Sequence, residues 1–219
     1  MENNHHEDDH DHDFDFNHTN TPLREDAFSI SDDEKIAKIE THFKAIMETL
    51  GLDLNDDSLK GTPHRVAKMY VKEMFWGLNP DNKPVVSHFK NKFRYNEMLL
   101  EKDIQFYTNC EHHFVPFFGT AHVAYIPNGK VIGLSKLNRI VEYFAKRPQV
   151  QERMTMQIAN ELKHILGTDN VAVIINAKHL CVASRGIKDN SSHTTTAEYC
   201  GQFDNEAVRT ELHRLLALK

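Results

Sequence analysis

The stretch Thr120-Ala121-His122-Val123-Ala124-Tyr125-Ile126-Pro127-Asn128-Gly129-Lys130-Val131-Ile132-Gly133-Leu134-Ser135-Lys136-Leu137-Asn138-Arg139-Ile140-Val141-Glu142-Tyr143-Phe144 changes period once, and that change decides the fold. Ala121, Val123 and Tyr125 alternate with Thr120, His122 and Ala124, the two-residue period of a strand. Pro127-Asn128-Gly129 makes a turn, and Val131-Ile132-Gly133 reads as a short return strand. Leu137, Ile140, Val141 and Phe144 then recur at i, i+3, i+4 and i+7, the spacing of an amphipathic helix.

Outward from this stretch the same two periods recur. Strand-like pattern reaches back to Lys102. Downstream, Arg147-Pro148 interrupts, and Met154, Ile158, Leu162, Ile165 and Leu166 line a second helix. Val171 to Ile175 is a continuous apolar run, a buried strand that delivers His179 and Cys181 at its end, and Thr194 to Tyr199 alternates as another strand. Asp204 is placed to cap a final helix, with Phe203 and Val208 as a hydrophobic staple. Towards the N-terminus, Ile36, Ile39, Phe43, Ile46, Met47 and Leu50 mark a helix that starts at Ser31 and stops at Gly51. Thr62-Pro63 starts the next, a hydroxyl N-cap followed by proline, which runs to about Trp76 with Gly77 as its C-cap. There is no solenoid-type repeat. The order, helices, then β-β-α-α-β-β, then a helix, predicts an α+β fold with helices packed on one face of an antiparallel sheet. Three regions follow: an acidic, His-rich tail over 1–31, an N-terminal helical region over 32–100, and the main body over 101–219.

Charge separates the tail from the body. The net charge of −6 averages residues 1–34, which carry −11, with the remainder, which carries +5. The tail is too poor in aliphatic residues to offset its chain entropy and is expected to be disordered; its His5, His6, His10, His12 and His18 make a metal-collecting role conceivable, against the plainer reading of a solvated segment. The mildly basic body suits an anionic ligand, and its excess is too small to argue for nucleic acid. No apolar run approaches the roughly 18 residues that span a membrane, and the acidic N-terminus is unlike a secretion signal. Three cysteines cannot all pair, and two lie beside histidines, which fits a reducing cytosol with thiols free for a metal.

The chemistry concentrates in Cys110-Glu111-His112-His113 and His179-Leu180-Cys181. Cys110 and His113 are close enough for one turn to aim both at a single ion, and Cys181 is the natural third ligand. A zinc ion held by three side chains keeps a position for water, as hydrolytic sites do. The alternative adds His112, His179 or Cys200 as a fourth ligand and makes the ion a structural staple; Cys200 otherwise reads as a buried thiol. Adjacent His112 and His113 would point to opposite faces of a regular strand. Gly133-Leu134-Ser135-Lys136 enters a helix with Ser135 as N-cap, so free N–H groups and the helix dipole favour an anion there, with Lys136, Arg139 and Tyr143 opposite the apolar stripe. Arg185 follows Cys181 in a tight turn with Ser184 and Gly186, and Arg65 and Lys68 share one face of their helix, as a solvated stripe or as ligand contacts. Glu152, in the first turn of the second helix, either complements the dipole or accepts the paired N–H donors that guanine presents and adenine lacks.

Taken together, the motifs at 61–66, 110–119, 133–141, 149–153, 179–181 and 184–186 resemble those of GTP cyclohydrolase I of the zinc-dependent type, over a range from about Ser31 to the C-terminus. Both zinc cysteines are intact, unlike the metal-variable sister family. The resemblance implies a tunnelling fold, a toroidal homodecamer of two pentamers with active sites between subunits, and conversion of GTP and water to formate and 7,8-dihydroneopterin triphosphate. It implies zinc on Cys110, His113 and Cys181. His179 would protonate the guanine N7, with His112 a second acid/base partner and Ser135 a proton relay. Glu152 with Gln151 would hold the guanine edge; Lys136, Arg139 and Arg185, joined by Arg65 and Lys68 of an adjacent subunit, would hold the triphosphate. Two rivals remain at this level: a nucleobase deaminase, whose His-x-Glu and Pro-Cys-x-x-Cys motifs do not occur, and a nucleotide- or pterin-binding scaffold without turnover.

Overall fold

The computed structural model describes residues 20–218, so the tail histidines His5, His6, His10, His12 and His18 lie outside it. A capping box at Ser31 and Glu34 opens helix α1 (Asp32–Thr49). Helix α2 (Thr62–Met69) packs against it, with His64 Nδ1 2.8 Å from the Glu40 carboxylate. Then come strand β1 (His88–Lys90), β2 (Leu99–Cys110), β3 (Pro116–Tyr125) and β4 (Lys130–Ile132). Helix α3 (Leu134–Ala145), the two-residue strand β5 (Pro148–Gln149) and helix α4 (Gln151–Leu166) follow. Strand β6 (Val171–His179), the short helix α5 (Leu180–Ala183), β7 (Thr194–Tyr199) and α6 (Glu206–Ala217) complete the chain.

The main sheet runs β5-β2-β3-β6-β7, antiparallel except where β5 joins β2, and its pleat sorts the core. Phe117, Ala121, Val123 and Tyr125 of β3 and Val171, Val173, Ile175 and Ala177 of β6 face α3 and α4, where Leu137, Ile140, Met154, Ile158 and Leu162 meet them. This is the α+β arrangement of helices on one face that the periodicity predicts, and it agrees with a tunnelling fold. The opposite face is also covered at one end: Ala124, Ala172 and Ile174 pack with Phe203 and, from α6, Val208, Leu212 and Leu216. Among the described residues, no helix is long and apolar enough to cross a membrane.

Several local expectations change. The N-cap of α2 is Gly61, and the Thr62 hydroxyl instead accepts from Arg65. That helix leaves α geometry at Tyr70, passes through a π-helical turn to Met74, and Gly77 lies in a 3-10 turn instead of capping it. Gly77 is required for another reason: a Cβ there would lie 2.1 Å from the Tyr143 carbonyl oxygen and 2.8 Å from that of Lys146. Its own carbonyl accepts from Arg147 Nε, and its N–H donates to Lys146. The β4 segment pairs with β1 in a separate two-stranded sheet, so it does not return onto β3. Helix α3 is capped by Gly133, leaving Ser135 exposed in its first turn, and Tyr143 is buried against the core, not on the polar face. Asn205, not Asp204, caps α6, because its side chain accepts from the Ala207 N–H; Phe203 and Val208 still share one apolar cluster.

Strand β2 carries a bulge between Glu101 and Ile104, with Asp103 in the left-handed region at φ 62°. The Asp103 N–H donates to His122 Nδ1 at 3.1 Å, which requires that nitrogen to be unprotonated. Burial holds the His122 imidazole below its ordinary pKa, with the Asp103 carboxylate pulling the other way.

Two outcomes follow. Gly77→Ala should cost about 1–3 kcal/mol through overpacking, read as a lowered Tm at neutral pH. A histidine harder to protonate when folded leaves the unfolded chain binding more protons, so stability falls as pH drops through about 6.5. His122→Gln should therefore lose less Tm than the parent between about pH 7.5 and about pH 5.5.

Candidate metal centre

Strand β2 ends at Cys110 in a tight turn that the backbone itself ties. The Cys110 N–H donates to the Val115 carbonyl at 2.9 Å, and the Phe114 N–H donates to the Cys110 carbonyl at 2.8 Å, with Phe114 left-handed at φ 55°. His112 and His113 therefore stand on a turn, not on opposite faces of a strand, and both are exposed. Glu111 anchors that turn: its N–H donates to the Gln149 carbonyl at 3.0 Å, and its carboxylate pairs with Arg153 of α4. Arg153 also donates from Nε to the buried Gln149 Oε1 at 3.2 Å.

Strand β6 brings in the second half. Its partner β3 sets Phe117 opposite His179, and α5 turns the chain so that Cys181 faces Cys110. The ligand atoms of Cys110, His113 and Cys181 all lie within 4.8 Å of one another, and Cys110 Sγ is 3.9 Å from His113 Nδ1. Tetrahedral ligands on bonds of about 2.3 Å are separated by about 3.8 Å, so this trio can close on one ion with small side-chain adjustments. Burial and the neighbouring Cys110 both push the Cys181 thiol above its ordinary pKa, with Arg185 opposing. Held as two thiolates, so close a pair would need a compensating cation, which a divalent metal could supply. The donor set fits a metal ion. His112 Nδ1 lies 3.7 Å from Cys110 Sγ, yet neither it, His179 nor Cys200 belongs to the group of mutually close ligand atoms among the described residues. Cys200 is half-buried and its thiol is pushed up to about 11, mainly by burial.

His179 lies beside the trio with its ring stacked on Phe117, centroids 4.4 Å apart and planes 9° from parallel. Burial lowers its pKa, and the Glu152 carboxylate is close enough to pull the other way. Glu152 itself is exposed in the first turn of α4. Gln151 differs from expectation: its side chain is turned inward, 1% exposed, with Oε1 on His179 Nε2 at 2.8 Å. Its amide hydrogens go to protein acceptors, so the side chain has no polar group left over for a base edge.

Cys110, His112, His113, Gln151, Glu152, His179, Cys181 and Arg185 thus gather at one end of the sheet. Ser135, Lys136 and Arg139 do not join them. Helix α3 begins after β4, past the Tyr125 end of β3, whereas the metal trio lies at its Pro116 end. Ten strand residues at about 3.3 Å each separate the two ends by roughly 30 Å. Lys136 Nζ donates to the Val85 carbonyl, and Arg139 is exposed. Arg65 donates to the Ser58 carbonyl and to Thr62, while Lys68 lines a surface hollow with Ile36, Glu40 and His64. A cavity of about 390 Å³, walled by Phe28, Tyr70, Phe75, Trp76 and Phe114, lies behind the metal turn and shares only Phe114 with it, so it is not the chemical site. The Glu111–Arg153 pair and the Phe117 stack have no motif of their own in the sequence; the β2–β5 pairing reveals the first and the β3–β6 pairing the second.

Comparison with known proteins agrees with this geometry. Residues 39–217 match the family model described as GTP cyclohydrolase I. A Flavobacterium johnsoniae protein named GTP cyclohydrolase 1 is 62% identical over 190 residues, 87% of this chain and 85% of its own. An Aeromonas salmonicida protein of the same name is 55% identical over 186 residues, 85% and 84% of the two chains. One from Vibrio parahaemolyticus is 54% identical over 197 residues, 89% and 90%.

The trio makes a direct forecast about metal. Cys181→Ser should lose at least about ten-fold in affinity for a divalent ion, while Cys200→Ser keeps the parent stoichiometry, both read by elemental analysis after dialysis.

Proposed function

The chain belongs to the GTP cyclohydrolase I family, and from that premise we propose that the end of the sheet holding Cys110, His113 and Cys181 opens the five-membered ring of guanine in GTP. Water adds at C8, formate leaves, and the ribose rearranges and recloses to give 7,8-dihydroneopterin triphosphate. The observation that supports this reading is the three-donor group itself, with half-buried His179 stacked on Phe117 two residues before Cys181. Cys110, His113 and Cys181 would hold zinc, which would supply Lewis-acid activation for the water that adds at C8.

The side chains do the rest. His179 delivers a proton to N7 of the opening ring, and exposed His112 serves as a second acid/base group, both suited by an imidazole's pKa near working pH. Glu152 accepts the N1–H and 2-amino hydrogens of guanine, a pair adenine lacks. Gln151 contributes through its backbone at that edge and through His179. Arg185, beside Cys181, takes phosphate charge.

Ser135 and Lys136 stand at the far end of β3, roughly 30 Å away in the same chain, with Arg139 about one helical turn nearer, so they serve a neighbouring subunit's metal end. Arg65 and Lys68, fixed on the helical layer, are assigned the same way. The sheet edges support such assembly: among the described residues β2 is paired on its outer side only at Asn109 and Cys110, and β7 has one partner. A homodecamer of two pentamers, working in the cytoplasm on free GTP, is the assembly proposed, with residues 32–100 as helical layer and 101–219 as catalytic body.

Zinc-loaded protein given GTP should release formate and, after oxidation, fluorescent neopterin; absence of formate removes the reading. His179→Ala should retain zinc while kcat falls about 10²–10⁴-fold. Glu152→Ala should lower kcat/KM for GTP by about 10²-fold or more, and an unchanged value would exclude its guanine-edge role.

A further inference from the structure

Gln151 sits where its hydrogen bonds can be followed proton by proton. Its Nε2 lies 3.1 Å from the Ile175 carbonyl oxygen, 3.0 Å from that of Thr194 and 3.1 Å from Thr196 Oγ1. Reversing the amide would set an oxygen against two carbonyl oxygens, so its orientation is fixed. A second line of reasoning reaches the same result. The Thr155 hydroxyl donates to the Gln151 carbonyl at 2.8 Å, which uses its one hydrogen. The 2.7 Å contact between the Thr155 and Thr196 hydroxyls must then be donated by Thr196. With its own hydrogen spent, Thr196 can only accept from Gln151, and the atom facing it is nitrogen.

Oε1 is therefore the atom 2.8 Å from His179 Nε2, and an amide oxygen only accepts. His179 must carry its proton on Nε2. We propose that Gln151 is a positioning residue that sets the tautomer of His179, leaving Nδ1 as the ring's one free lone pair, with Phe117 holding the ring plane. The burial of Gln151 and Thr155, 1% and 2% exposed, keeps water from competing with this chain of donors. The inference rests on His179 being the proton donor, but the ring's tautomer can be observed without turnover.

The test uses zinc-loaded protein with nitrogen-15-labelled histidine. In the parent, the His179 ring should show a protonated Nε2 and a pyridine-type Nδ1; the opposite pattern overturns the proposal even if no variant folds. Gln151→Met removes the acceptor, and should give a mixed or reversed ring signal with kcat lowered about 10–100-fold, at unchanged KM and zinc content. Gln151→Glu, which keeps an oxygen in reach, should retain the Nε2–H signal. An unaltered ring signal in Gln151→Met, or a loss confined to KM or to zinc, overturns it. Parent protein that releases no formate but shows the Nε2–H ring would instead count against the proposed function alone.

Discussion

Phe117 lies in register between Thr108 on β2 and His179 on β6, and the position of almost every functional side chain depends on that alignment. Strand residues alternate faces, so a slip of one residue would turn His179 away from the core side and carry Cys181 with it. The register is held from both sides of the sheet. Ala121, Val123 and Tyr125 are fully buried towards α3 and α4, while Ala124 and Ala172 are buried under the opposite cluster. A shifted strand would expose both sets at once. The chemistry is thus fixed by apolar packing well away from it, and Gly119 adds a steric constraint, since a Cβ there would meet the Asn176 carbonyl at 1.9 Å.

The two ends of this sheet carry different chemistry. One end carries soft and imidazole donors on a tied turn. The other starts helix α3 with Ser135, Lys136 and Arg139, where no side chain caps the helix and its dipole favours negative charge. Roughly 30 Å is too far for one nucleotide to bridge within a chain. Antiparallel neighbours joined at open strand edges would bring a metal end of one copy to a basic end of the next, and that is the physical sense in which a complete site would belong to an assembly.

Much of this was legible from periodicity alone. The switch from two-residue to three-and-four-residue spacing after Tyr125 marks the sheet and α3, and the apolar run at Val171 is the strand whose end brings Cys181 to Cys110 and His113. The misses share a cause. Capping and turn signals such as Thr62-Pro63, Gly77 and Asp204 describe local preference, and tertiary contacts chose neighbours one residue away or another use altogether. Strand β1 was not legible because three exposed residues carry no periodic signal. Within the candidate site, the Cys and His types marked a group able to hold a metal, but the inward turn of Gln151 could not be foreseen, since its partners Ile175, Thr194 and Thr196 come from two strands distant in sequence.

That inward turn shows how the fold divides rigidity from exposure. Glu152 and Gln151 are adjacent at the start of α4, yet one is exposed and the other almost sealed. On a helix, neighbours point about 100° apart, so a single turn can give one side chain to solvent and one to the interior. The buried member gains definite orientation because every donor around it already has an acceptor, and a network with no spare hydrogen has only one arrangement. The exposed member stays free to exchange water for a ligand. Fixing the first through β6 and β7 also fixes the backbone that presents the second, so the ordering of His179 and the presentation of Glu152 have a common structural origin.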